Sequence, residues 1–159
     1  MTDQLEPSNT GSRPREAPER LTVILLDDHA VMLEEVRAVV ESDDTLTVIG
    51  TASRVPDAIR LARLTQPHVA VIDVNMPGGG GWAAARGLRE VVPDIRLVAY
   101  SSFEEAMIIR TIAAAGISAF VSKGADIDEL LAAIHGENTM PTPPQPTPLL
   151  SRQALAPGG

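Results

Sequence analysis

Three carboxylates, a serine and a lysine stand at the ends of apolar runs in this chain, and together they could hold a divalent cation beside a group that reacts with phosphate. Asp27 and Asp28 follow the run Leu21–Leu26, Asp73 follows Val69–Ile72, Ser101 follows residues 95–100, and Lys123 lies just past residues 118–121. Gathered in one place, three carboxylates repel one another unless some are protonated or a cation sits among them. Magnesium answers that need, because it prefers oxygen ligands in octahedral geometry and keeps several waters. One or two carboxylates, a backbone carbonyl and an incoming phosphoryl group would suit it. Cysteine is absent, so thiolate ligands and disulfides are both excluded.

Each residue also has a plainer reading. Asp27 and Asp28 could cap a helix beginning near Ala30, although two adjacent carboxylates weaken that account. Asp73, ahead of Met76 and Pro77, could be a turn former. Ser101 has only joint evidence, since Ser102 beside it already offers a cap. Lys123 would ordinarily be a solvated loop residue, but it is the sole lysine in a chain whose other cations are arginines. His29 adjoins the acidic pair and is read as a surface histidine outside the site.

The elements that must position these residues follow from periodicity. Apolar runs at Leu21–Leu26, 46–51, Val69–Ile72, 95–100 and 118–121 read as strands covered on both faces. Between them lie stripes at helical spacing: Met32, Val36, Val39 and Val40; Val55, Ala58, Ile59 and Ala62; Ile127, Leu130, Leu131 and Ile134. Five such alternations imply an α/β fold with a parallel sheet and helices on both faces. Ligands of open sheets of this kind bind outside the carboxyl ends of the strands, where all five polar residues converge. Ser102 with Glu105, and Asp126 with Glu129, have capping-box spacing. The Gly78–Gly81 run lacks the context of a phosphate-binding fingerprint and reads as a flexible loop.

Composition bounds the rest. The 159 residues suffice for one domain, expected over residues 21–137, with a polar tail at 1–20 and a Pro-rich tail at 138–159, both read as mobile. No apolar run approaches the roughly 20 residues that cross a bilayer, and the first 20 are not signal-like, so a soluble cytoplasmic protein is expected. The formal charge of −8 argues against direct binding of nucleic acid.

The segments Leu25-Leu26-Asp27-Asp28-His29, Asp73-Val74-Asn75-Met76-Pro77, Tyr100-Ser101-Ser102 and Ala119-Phe120-Val121-Ser122-Lys123 closely resemble the acidic pair, acceptor turn, switch hydroxyl and lysine strand of response-regulator receiver domains. The resemblance covers residues 21–135. It is nearest to receivers of regulators with LuxR/NarL-type DNA-binding output. It implies a flavodoxin-like (βα)5 fold with a doubly wound five-stranded parallel sheet in the order 2-1-3-4-5. It also implies that Asp28, Asp73 and the backbone carbonyl of Asn75 bind Mg2+, with Mn2+ able to substitute, and that Asp27 acts through water.

The same resemblance makes Asp73 the phospho-acceptor, served by a sensor histidine kinase or phosphotransfer protein, with Lys123 and the metal neutralising charge on the transferring oxygens. Ser101 would then turn to the new phosphoryl group and Phe120 would move inward. That remodels the face of the fourth helix, fifth strand and fifth helix, which a downstream protein reads. The implied protein is a bacterial signalling acceptor with slow autodephosphorylation rather than a turnover enzyme, and a homodimer is compatible with it. Departures from the pattern are the four glycines and Gly124 after the lysine, where a trans bond is expected because a cis non-proline bond costs about 2.5–4 kcal/mol. Phe103, two past the switch hydroxyl, suggests a long-lived phosphoryl group.

The expected protein is a stand-alone receiver, since about 20 residues after the last helix are too few for a helix-turn-helix output domain. Residues 148–155 resemble the linker to such a domain, so the receiver of a truncated DNA-binding regulator is one alternative. A phosphorylation-independent docking or dimerisation module is another, and the intact acidic site speaks against it. A metal-dependent phosphatase would want a second acid two residues after Asp73, where Asn75 stands.

Overall fold

The computed structural model describes residues 19–102, 110–111 and 113–138. Residues 1–18 and 139–159 of the two tails, Glu105 of the first proposed capping box, and Phe103 lie outside the described residues.

Five strands form one parallel sheet: β1 (Leu21–Leu26), β2 (Leu46–Ala52), β3 (Val69–Ile72), β4 (Arg96–Ser101) and β5 (Ala119–Ser122), in the order β2-β1-β3-β4-β5. The crossovers carry α1 (Ala30–Glu41), α2 (Val55–Thr65) and α3 (Gly80–Val91). Residues 110, 111, 113 and 114 have helical backbone and belong to α4, and α5 is Ile127–His135. The parallel sheet with helices on both faces is the one expected from the alternation of apolar runs, and its doubly wound, flavodoxin-like order is the one the receiver resemblance implies.

Side chains alternate across each strand, so the sheet feeds two cores. Ile24, Leu26, Ala70 and Ile72 pack with Ala58 and Ala62 of α2 and with Ala84, Ala85 and Leu88 of α3. Val23, Leu25, Val69 and Val71 pack with Val36 and Val40 of α1 and with Leu130, Ala133 and Ile134 of α5. Burial on both faces is what makes the strands read as unbroken apolar runs. Gly87 lets α2 and α3 approach, since a Cβ there would overlap Ile59.

Four expectations need correction. Two strands begin one residue later than read: Ile95 is buried, but its N–H donates to Val92 O at 3.1 Å in a turn, and Ser118 likewise precedes β5. Asp126 is the N-cap of α5 without a side-chain cap bond; Glu129 N–H instead donates to the Asp126 backbone carbonyl at 3.0 Å, so the capping box is not formed. Ile127 is 55% exposed, because as the first residue of α5 it lies beyond the core its stripe was assigned to. Of the four glycines only Gly78 and Gly79 form a turn, whereas Gly80 and Gly81 are buried and open α3. There Gly81 N–H donates to Val74 O at 3.0 Å, and Gly80 at φ +59° leaves no room for a side chain against that carbonyl.

Candidate functional site

Backbone pairing carries the sheet one residue past its assigned ends and sets the site there. Asp27 N–H donates to Ala52 O at 3.2 Å, Asp73 N–H to Leu26 O at 2.8 Å, and Lys123 N–H to Ser101 O at 2.9 Å. Asp27, Asp73 and Lys123 therefore start from fixed positions at the carboxyl ends of β1, β3 and β5. Asp27 and Asp73 are each only 5% exposed and Ser101 is fully buried, unusual for polar residues without a task.

The structure brings the predicted residues together. One ligand atom from each of Asp27, Asp28, His29 and Asp73 can be chosen so that all lie within 4.8 Å of one another. Lys123 Nζ donates to Asp27 Oδ2 at 2.8 Å and lies 3.6 Å from Asp73 Oδ2, so its tighter hold is on Asp27. Asn75 N–H donates to Asp73 Oδ1 at 3.1 Å, and the Asn75 side-chain amide donates to Ser101 Oγ at 3.2 Å, linking acceptor turn to β4. The Lys123 ammonium also lies 5.9 Å from the centre of the Tyr100 ring. Burial pushes the Tyr100 phenol above its ordinary pKa, partly offset by that ammonium, while Glu35 and Asp27 add to the rise.

Neither helix-capping alternative is realised at Asp27 or Asp28. The N-cap of α1 is His29, which makes no side-chain cap, and Asp27 Oδ1 accepts the His29 N–H at 2.9 Å. Phe120 stands apart from the cluster: it faces Ala99 across β4 and β5 and packs, half-buried, against the core under α2 and α3. The bond between Lys123 and Gly124 is trans, and no cis bond occurs among the described residues.

Sequence reasoning left out His29. Its ring is exposed, as read, yet Nδ1 lies 3.0 Å from Asp28 Oδ1 and 3.2 Å from Asp27 Oδ1. Its place directly after the acidic pair was the available signal. Three carboxylates gathered beside one ammonium, which meets Asp27 and Asp73, leave an excess of negative charge in a partly buried pocket. That charge balance and the hard oxygen donors fit a divalent cation such as Mg2+.

Residues 23–135 match the response regulator receiver domain family. Among curated relatives, the chain is 33% identical over 114 residues to the response regulator GacA of Pseudomonas aeruginosa, a match covering 72% of this chain and 53% of that protein. It is 30% identical over 114 residues to the response regulator UvrY of Escherichia coli strain K12, covering 72% and 52%. The chain thus spans about half the length of the curated relatives it matches. A two-component response regulator of the LuxR family from Aurantimonas sp. SI85-9A1 superposes with a TM-score of 0.72 at 28% identity, over 79% of this chain and 91% of that one. The signal receiver domain of a response regulator NarL from Mycobacterium tuberculosis gives 0.70 at 27% identity, over 74% and 95%. No helix among the described residues is long and apolar enough to cross a membrane.

Proposed function

Because the chain belongs to the response regulator receiver family, whose members accept phosphoryl groups in two-component signalling, we propose that Asp73 is the acceptor and that residues 21–137 form the receiver unit. The observation that carries this reading is the buried Asp73 carboxylate, steadied by the Asn75 N–H at 3.1 Å with the Lys123 ammonium 3.6 Å away. The phosphoryl donor is a phosphohistidine of a sensor kinase or phosphotransfer protein, or a small acyl phosphate. An Asp73 oxygen forms a bond to phosphorus while the bond to the donor nitrogen or oxygen breaks, and the leaving group keeps the electron pair.

Asp28, Asp73 and the Asn75 backbone carbonyl would hold Mg2+ directly, with Asp27 acting through water. When bound, the ion neutralises charge on the transferring oxygens. Asp27 keeps Lys123 at the mouth of the site, from which the ammonium needs only a small movement to meet an incoming phosphoryl oxygen. Acceptance adds about −1.5 to −2 charges and strong acceptor oxygens beside Ser101. Ser101 Oγ then exchanges its contact with the Asn75 amide for a hydrogen bond to the phosphoryl group, and Phe120 follows. The reader of the altered α4, β5 and α5 face is a downstream protein or a further domain of the same polypeptide.

Intact mass after incubation with Mg2+ and acetyl phosphate or phosphoramidate tests the reading. One added phosphoryl group is expected in the wild type and none in Asp73→Asn or with a chelator present. An adduct that persists in Asp73→Asn would assign the acceptor elsewhere.

A further inference from the structure

Resting on that cation site, we infer that His29 is a further ligand to the ion, giving the pocket a mixed nitrogen and oxygen donor set that favours first-row transition metals over Mg2+. His29 Nδ1 lies 3.0 Å from Asp28 Oδ1 and 3.2 Å from Asp27 Oδ1. Two ligand atoms at right angles about an ion, with bonds of about 2.1–2.2 Å, are about 3.0–3.1 Å apart. The imidazole nitrogen and the Asp28 carboxylate therefore already stand at the spacing of adjacent corners of a coordination octahedron, with Asp27 the more distant of the acidic pair. Asp73 completes the group within 4.8 Å.

The backbone sets His29 directly beside the acidic pair. His29 N–H donates to Asp27 Oδ1 at 2.9 Å, and its extended backbone, φ −102° and ψ 112°, precedes the first turn of α1. The ring stands within 3.2 Å of both members of the acidic pair and remains 72% exposed, so ligation needs no burial of the imidazole. Imidazole suits zinc, copper and nickel, whereas Mg2+ gains little from a nitrogen donor. Loss of the ring should then be felt selectively. A ring that merely orients the two aspartates would affect all cations alike.

The test is calorimetric titration of the full chain with MgCl2, NiCl2 and ZnCl2, together with the visible spectrum of the Co2+ complex. Wild type, His29→Ala, His29→Gln and a His68→Ala/His135→Ala control are compared. Both His29 variants should lose about tenfold or more in Zn2+ and Ni2+ affinity, hold Mg2+ within about twofold, and shift the Co2+ absorption; the control should match wild type. Equal losses for Mg2+ and Zn2+, or Zn2+ affinity unchanged in both His29 variants, would overturn the assignment while leaving the receiver site standing. Failure of the wild type to bind any of the cations would remove the site itself.

Discussion

The two ends of the sheet each carry aspartate beside histidine, and they use the pair in opposite ways. At the amino end, Asp43 accepts bonds from Thr45 N–H at 2.8 Å and Thr45 Oγ1 at 2.6 Å, and its other oxygen lies 2.9 Å from His135 Nε2. Every contact there offsets the charge of one carboxylate, and the cluster ties the loop after α1 to the end of α5. At the carboxyl end, Asp27 and Asp73 share one lysine, and Asp28 and His29 stand beside them. The residue types are alike; the ratio of donors to acceptors separates a fastening from a site that needs something brought to it.

The largest effect should come from removing the lysine. Lys123→Met leaves Asp27 and Asp73 buried without their cation and should cost about 2–4 kcal/mol of stability in metal-free buffer. Saturating Mg2+ should restore most of it. Urea unfolding with and without Mg2+ measures both, and a loss below about 0.5 kcal/mol would equate this end with an ordinary solvated surface.

A smaller effect of opposite sign is expected at Asp73. Asp73→Asn keeps an oxygen for the Asn75 N–H but removes a like charge, and should stabilise the metal-free protein by about 1 kcal/mol. The same exchange at Asp43 should destabilise. Thermal melts in a chelator would show the two midpoints moving in opposite directions, and a shared direction would end the contrast.

Much of the carboxyl end was legible because apolar runs stop abruptly at Asp27 and Asp73, and runs buried on both faces belong to central strands such as β1 and β3, while the run of β5 at the sheet edge ends just before Lys123. Where burial and strand membership part company, the reading slipped: Ile95 is buried in a turn, and Ile127 keeps helical spacing yet points past the core. His29 was passed over because adjacency in sequence does not say which way a ring turns. The amino-end cluster left no sequence signal, since Asp43 and His135 are 92 residues apart and neither follows a strand.

The smallest effect, and the one that discriminates best by pH, is at Asp43. Bonds from the Thr45 hydroxyl, then His135, then the Thr45 N–H hold its carboxyl at about 2, below the ordinary 3.8. A carboxylate depressed in the folded state contributes stability that is fully present above its unfolded value and is lost as pH falls through the folded one. Asp43→Asn should therefore lower the urea midpoint relative to wild type near pH 5, and the gap should narrow between about pH 4 and pH 2. His135 and Asp43 are 27% and 23% exposed, so solvent screens the pair and keeps the effect below that of Lys123→Met. A gap that stayed constant as the pH fell would mean that Asp43 is held by shape rather than charge, and the two ends of the sheet would then differ in packing instead of in electrostatics.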